Sequence, residues 1–259
     1  MKTKTNLLIK LAVITCLTVF FSCKKKDTTV APAPTTPMGT LAFHLHTNID
    51  TTETDSGRIC KDAGGRRFQL NVAQFYASGI VAIRSDGSKV PLSNVYILKT
   101  MAKEEYVIGS IPAGNYNSVS FNVGIDSTTN KTAPSSHAAP SVLGAQIPNM
   151  WFGSTAQGYI FMNVQGLADT TAANNGSVNV PFSYQLGTGA QLKTVNMPNK
   201  AFSMIANNTY FVHIICDYGK LLTGISFKTQ NTANPFGTSA EQATAAQVAA
   251  NVSTMFHYE

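Results

Sequence analysis

Short segments in which apolar and polar residues alternate recur along most of this chain. They are rich in β-branched and aromatic residues, as strands are, and turn-forming residues separate them. Asp86-Gly87 is a strong hairpin signal, and Pro112-Ala113-Gly114-Asn115 predicts a second tight turn. Nine segments are predicted strands: 41–47, 66–72, 75–84, 90–98, 106–108, 116–123, 159–165, 178–186 and 210–217. The pattern, with no alternation of strands and helices, predicts an all-β antiparallel sandwich of the immunoglobulin or jelly-roll kind.

Two regions depart from the strand pattern. Residues 127–148 are rich in Ala, Ser and Pro and weakly periodic, which predicts an extended surface loop. Thr238-Ser239-Ala240-Glu241 matches a helix capping box, so a short C-terminal helix is expected over about 239–255. That helix should pack on the sheet through an apolar stripe formed by Val248, Val252, Met255 and Phe256.

The N-terminal segment has the pattern of a bacterial lipoprotein signal. Lysines precede an apolar run over 11–21, and Ser22 stands before Cys23. The run is about 11 residues long, too short to cross a bilayer of roughly 30 Å. The sequence therefore predicts a signal peptide over 1–22, a lipidated Cys23 that begins a flexible tether over 23–38, and one β-domain over 39–259.

The charge of the chain does not indicate a polyanionic partner. The formal net charge is +6, but three of the lysines lie in the signal peptide, which leaves +3. Lys24, Lys25 and Lys26 beside Cys23 account for that remainder. Nucleic-acid binding is therefore excluded. The expected partner at the N-terminal end is a membrane, to which the lipid would attach the protein. The outer membrane is expected, and the sequence does not distinguish its periplasmic face from its outer face.

Two of the four cysteines in the sequence lie inside the predicted β-domain. Cys16 belongs to the signal peptide and Cys23 would carry the lipid, so Cys60 and Cys216 remain. The cell envelope outside the cytoplasm is oxidising, which permits a disulfide between them. The alternative is a free Cys216 buried on an apolar strand, and the sequence leaves both open.

The sharpest candidate for chemistry is His44-Leu45-His46 on the first predicted strand. Side chains alternate faces along a strand, so His44 and His46 share a face while Leu45 points to the other. Two converging imidazoles could bind copper, zinc or nickel. The alternative is a solvated face that happens to carry two histidines. His213, among apolar neighbours, is interpreted as a core histidine, and His137 lies in the long loop.

Motifs of the common enzyme classes are missing from the sequence. It has no glycine-rich phosphate loop between a strand and a helix, and no nucleophile elbow. Glu104-Glu105 precedes a strand and is interpreted as a solvated turn. The protein is therefore expected not to be an enzyme.

Several segments in a fixed order resemble the MbnP-like family of bacterial copper-associated periplasmic proteins and lipoproteins. No single segment is specific, but the ordered set covers residues 41–256. The segments are Leu41-Ala42-Phe43-His44-Leu45-His46, Phe75 to Ile80 with Asp86-Gly87, Ile111 to Tyr116 leading to Phe121 to Asp126, Met150-Trp151-Phe152, Gly158 to Phe161 with Gln165-Gly166, Phe182 to Gly187, and Ala250-Asn251 to Met255-Phe256.

This resemblance implies a non-catalytic protein that binds or handles copper. It implies His44 and His46 as ligands, and Trp151, the only tryptophan, as a residue at the site that a dihaem oxidase partner could oxidise to kynurenine. The chain departs from the family where many relatives show Tyr-His-x-Gly, because it has Tyr184-Gln185-Leu186-Gly187. An amide at Gln185 binds soft Cu(I) poorly, and Trp151 can equally be a buried aromatic anchor.

A second function is compatible with the same sequence. The domain could be a surface-binding or structural lipoprotein module that keeps the fold without a metal. Its ligand would be a peptide, a glycan or another protein, held by loops such as 127–148.

Overall fold

The first strand shows how the alternating pattern builds the domain. The computed structural model describes residues 36–259, which form one compact unit. β1 covers Met38–Ile49, and its Phe43 and Leu45 are buried against the core. His44 and His46 lie on the other face of the strand and are half-buried. The predicted signal peptide, Cys23 and nearly all of the tether lie outside the described residues.

Between residues 36 and 259 the chain is mostly β. No helix in this part of the chain is long and apolar enough to cross a membrane. The strands are β1 (Met38–Ile49), β2 (Thr52–Glu53), β3 (Ile59–Lys61), β4 (Arg67–Arg84), β5 (Lys89–Leu92), β6 (Ile97–Lys99), β7 (Glu105–Pro112), β8 (Gly114–Val123), β9 (Ile160–Ala168), β10 (Val180–Gly187), β11 (Lys193–Asn196), β12 (Phe202–Met204), β13 (Thr209–Asp217), β14 (Thr232–Ala233) and β15 (Phe256–Tyr258), and the α-helices are α1 (Tyr218–Leu221) and α2 (Ser239–Asn251).

The strands form two sheets. The first sheet has the order β15, β13, β1, and the far edge of β1 pairs with β7 and then with β2. In the second sheet the long strand β4 pairs with β8 and β9, and also with the short strands β3, β5 and β6. β9 continues to β10 and β14, while β8 continues to β11 and β12.

Aromatic side chains join the two sheets in the main core. The ring of Phe43 on β1 lies 5.8 Å from that of Phe121 on β8. Phe256 on β15 contacts Phe121 and Phe75 at 5.1 and 5.5 Å, both edge to face. These contacts hold the first sheet, including its C-terminal strand, against the second, and edge-to-face pairs of this kind add to the stabilisation from burial.

The structure confirms the predicted all-β sandwich and corrects its details. The segments 66–72 and 75–84 join into β4, which continues through a register shift between Leu70 and Val72. The segment 90–98 divides into β5 and β6. The sheets are not purely antiparallel, because β1 pairs with β13 in parallel and so does β10 with β14. Alternation reports which face is buried and carries no information on the direction of the neighbouring strand.

The two irregular regions are close to their predicted form. The segment 127–148 has no strand and only two short 3₁₀ turns, at Thr129–Lys131 and Pro134–Ser136. Helix α2 begins with the complete capping box of Thr238 and Glu241 and ends at Asn251, after which Val252–Thr254 is a 3₁₀ turn. The apolar stripe is buried as predicted, at Val248, Val252, Met255 and Phe256.

A substitution at Gly166 on β9 would test how closely β9 and β4 approach each other. A Cβ atom there would overlap the carbonyl oxygen of Gln69 and the ring of Phe182. We expect Gly166→Ala to lower the free energy of unfolding by roughly 1–3 kcal/mol, the range for overpacking a core. Gly189→Ala is the matched control, because nothing lies within 4 Å of its new Cβ. Denaturant unfolding measures both, and equal stability of the two variants would contradict the described approach of β4 and β9.

Candidate metal centre

The two histidines of β1 converge on the outer face of the first sheet. Their ring centroids lie 4.3 Å apart, with a tilt of 31° between the ring planes. The side chain of His44 is 21 % exposed and that of His46 is 16 % exposed. The rings therefore face one another near the surface and do not diverge into solvent. Two histidines that bind the same metal ion need this arrangement.

A third histidine comes from β13. The parallel register places His213 directly opposite His44, so both side chains leave the same face of the sheet. The ring centroid of His213 lies 4.8 Å from that of His44 and 5.9 Å from that of His46. One nitrogen from each of the three rings lies within 4.8 Å of the other two. The interpretation of His213 as a core histidine is therefore wrong.

Three carboxylates surround this trio. Glu104 Oε2 lies 3.1 Å from His44 Nε2 and 4.0 Å from His46 Nδ1. Glu53 Oε1 lies 3.8 Å from His46 Nδ1. Glu259 Oε2 lies 3.6 Å from His46 Nε2 and 3.2 Å from His213 Nδ1. The result is a histidine–carboxylate cluster made of His44, His46, His213, Glu53, Glu104 and Glu259.

Backbone pairing places each carboxylate beside its histidine. The N–H of Leu45 donates to the carbonyl of Glu104 at 2.9 Å, which fixes Glu104 alongside β1 between the two histidines. Glu53 on β2 pairs with Asn48, two residues beyond His46 and on the same face. Glu259 follows β15, whose antiparallel register on β13 extends to place it opposite His213.

The turn that delivers Glu104 is fastened from the core. The Lys99 side chain is fully buried, and its Nζ donates to the carbonyls of Thr100 and Lys103 at 2.8 and 3.1 Å. The Tyr106 hydroxyl accepts from the N–H of Thr100 and donates to the carbonyl of Lys103. Burial lowers the pKa of Lys99, although nearby acidic groups, including Glu104, oppose the shift. These contacts close the turn from Lys99 to Lys103 and hold the residue after it in place.

The donor set of the cluster fits a transition metal. Buried polar atoms nearly always have hydrogen-bond partners. His46 Nε2 and His213 Nδ1 are buried and have none, although each lies near Glu259. Two ring nitrogens without hydrogen bonds at one place are available to a cation, and imidazole nitrogen is a preferred ligand of copper and zinc. The three carboxylates would offset the charge of a bound cation.

Trp151 and Gln185 lie elsewhere in the fold. Trp151 forms a β-bridge with Tyr159 and packs edge to face on its ring at 4.8 Å. This pair belongs to a second hydrophobic cluster, separate from the main core. Gln185 is on β10, where it pairs with Asn163 and points away from the main core that its neighbour Tyr184 enters. Both are therefore associated with the outer side of the second sheet, whereas His44 and His46 are on the outer side of the first.

The two cysteines of the domain are free thiols. Cys60 Sγ lies 3.4 Å from Thr54 Oγ1, and Cys216 is completely buried on β13. Burial raises the pKa of the Cys216 thiol to about 12. The disulfide that the sequence left open is absent from the structure, and the alternative of a free buried Cys216 is the one that it shows.

The two larger cavities lie away from the cluster. One cavity of about 550 Å³ lies beside Asp62 and Arg66. The Arg66 guanidinium already bonds to Asp62 and to the carbonyls of Leu222 and Ile225, so each of its three nitrogens donates within the fold. A second cavity, of about 540 Å³, lies beside Gln74, Met101 and Pro148. Neither lining includes a histidine of the cluster.

Sequence reasoning missed four members of the cluster. His213 alternates with the buried residues Val212 and Ile214, which places it on an outer face. That signal could have separated it from the core. Glu53, Glu104 and Glu259 carry no local signal, since only the pairing of β2, β7 and β15 brings them to the histidines.

Fold and site together describe a β-sandwich domain with a cluster of three histidines and three carboxylates on one outer face. The MbnP family model matches residues 38–256, so the chain belongs to the MbnP family. The solved structure of MbnP from Methylosinus trichosporium is similar, with a TM-score of 0.50 and 14 % identity, covering 85 % of this chain and 97 % of that one. At this identity the likeness is one of fold alone. No curated protein matches the chain.

The thiol state of Cys60 and Cys216 can be checked directly. Only the thiolate is alkylated, and a thiol pKa near 12, against an ordinary 9.0, keeps folded Cys216 protonated at neutral pH. We expect iodoacetamide to spare Cys216 in the native protein and to modify both cysteines in guanidinium chloride without a reductant, as peptide mass spectrometry would show. A raised thiol pKa also means that this residue's contribution to stability is lost as pH rises from about 9 towards 12. Linked peptides without alkylation would instead establish the disulfide.

Proposed function

We propose that this protein binds copper without catalysing a reaction, as a lipid-anchored protein of the cell envelope. The observation that carries the metal proposal is the convergence of His44, His46 and His213, with two buried ring nitrogens that lack partners. Among divalent ions, nitrogen sites bind copper most strongly. The family resemblance supports copper as well, since MbnP-like proteins are copper-associated.

The proposed ligands differ from those that the resemblance implied. His44 and His46 are retained and His213 is added, while Trp151 packs on Tyr159 and is not part of the proposed site. A dihaem oxidase partner and oxidation of Trp151 stay predictions from the resemblance. The replacement of a histidine by Gln185 does not argue against the metal, because Gln185 lies on the second sheet and the trio is complete without it.

Removing two of the three imidazoles should abolish tight binding. Changing residues around a metal's direct ligands typically costs roughly 10–100-fold in affinity. For His44→Ala/His46→Ala we therefore expect Cu(II) affinity to fall by more than about 100-fold. Isothermal titration of the untagged protein measures this, repeated anaerobically with Cu(I). His213→Ala should also weaken binding, because its ring is the third donor.

His137→Ala provides the matched control for these titrations. His137 is bound to Thr132 in the long loop, so its loss should leave copper affinity unchanged. Equal affinity of wild type and His44→Ala/His46→Ala would show that the site is misassigned. Failure of the wild type to bind any copper would favour the metal-free binding module instead.

Attachment to the membrane through a lipid on Cys23 is a separate prediction, which the sequence around Cys23 supports. Wild-type protein expressed in its host should partition into the detergent phase of Triton X-114 and sediment with outer membranes. Wild type should incorporate radiolabelled palmitate in its host, whereas Cys23→Ser should not, because the thiol that would carry the lipid is gone. Cys16→Ser, within the signal peptide, is the control and should behave as wild type. A Cys23→Ser protein that still incorporates the label would rule out anchoring through Cys23.

A further inference from the structure

We propose that the histidine–carboxylate cluster holds two metal ions, with the imidazole of His46 shared between them. The inference rests on the proposed function, because it assumes that the histidine trio binds metal. The first position lies among His44, His46 and His213, next to Glu259. The second lies among His46, Glu53 and Glu104. His46 is the one residue common to both groups.

The two nitrogens of His46 face different carboxylates. Nε2 lies 3.6 Å from Glu259 Oε2, and this same oxygen lies 3.2 Å from His213 Nδ1. On the opposite side of the ring, Nδ1 lies 3.8 Å from Glu53 Oε1 and 4.0 Å from Glu104 Oε2. Each nitrogen of His46 therefore faces different carboxylates, as a bridging imidazole requires, and Glu104 Oε2 also lies 3.1 Å from His44 Nε2, between the two positions.

The spacing around His46 suits shared cations better than hydrogen bonds. An N–H···O hydrogen bond spans about 2.7–3.2 Å, and the three gaps around His46 to Glu53, Glu104 and Glu259 are all longer. Two ligands that each lie about 2.0–2.1 Å from a tetrahedral metal are about 3.3 Å apart. Small side-chain rotations would bring the donors of either position to that separation.

The charges of the cluster balance two divalent ions. A bridging imidazole binds through both nitrogens only after it has lost its ring proton, which passes to solvent when the second metal binds. The resulting imidazolate carries one negative charge, and Glu53, Glu104 and Glu259 carry three more. Together they match two divalent cations, whereas a single divalent ion with a neutral His46 would leave one net negative charge.

The two positions also differ in the ions that they favour. Imidazole nitrogens dominate the first position, which suits copper in either oxidation state, while two carboxylates dominate the second and suit a harder divalent ion. Glu53 is 65 % exposed and Glu104 is 34 % exposed, so the second position opens to solvent and should bind its ion more weakly.

Titration with Cu(II), followed by metal analysis and electron paramagnetic resonance, tests this arrangement. We expect wild type to bind two equivalents. The first should give the signal of an isolated Cu(II), and the second should diminish the integrated signal, because two ions joined by an imidazolate couple magnetically. For Glu53→Gln/Glu104→Gln we expect one equivalent, with its isolated signal retained at saturation. Both changes are at exposed or half-exposed side chains, and circular dichroism confirms that the variant folds.

Glu105→Gln is the control for loss of charge. Glu105 lies next to Glu104 but forms no ion pair with the histidines in the described part of the chain, so this variant should still bind two equivalents. One equivalent in wild type, lost in His44→Ala/His46→Ala, would overturn the second position and leave the proposed function standing. Two equivalents in Glu53→Gln/Glu104→Gln would overturn the assignment of the second position. No binding at all would overturn the proposed function itself.

Discussion

The parallel pairing of β1 with β13 is the constraint on which the rest of the candidate centre depends. It aligns His44 with His213 and carries the same register from Thr40 to Asn48. Neighbouring strands in a sheet lie about 4.8 Å apart, so two aligned imidazoles on one face are held within reach of a common ion. With β13 in register, β15 follows along its other edge and brings Glu259 to the same place.

The local part of this arrangement could be predicted from sequence, and the long-range part could not. Alternation along 41–47 is enough to place His44 and His46 on one face, because strand geometry fixes it within a few residues. His213 lies 169 positions beyond His44, as their numbers show, and no periodicity indicates which strands pair or in which direction. The same reason explains why the short strands β2 and β15 escaped prediction, although β2 carries Glu53 and Glu259 directly follows β15.

The family resemblance predicted the fold, which the structure confirms, and a set of site residues that the structure places in two separate locations. Residue patterns in a fixed order are sufficient for a fold, since they mark buried faces and turns that many sequences can satisfy. Site residues were carried over one by one, and the structure separates them into two groups. His44 and His46 meet His213 on the first sheet, while Trp151 and Gln185 belong to the second. Trp151 packs on Tyr159, which in turn contacts the buried Tyr76. This position is that of an aromatic residue that helps to hold the second hydrophobic cluster together.

The core beneath the cluster determines how firmly its ligands are held. Phe43 and Leu45 fix β1 from below, so the histidine between them cannot shift without disturbing the aromatic contacts of the core. Glu104 depends on the buried ammonium of Lys99, which ties the preceding turn to two carbonyl groups. Glu53 and Glu259 are more exposed and have fewer such supports. The imidazoles therefore form the rigid part of the cluster, and the outer carboxylates form its adjustable part.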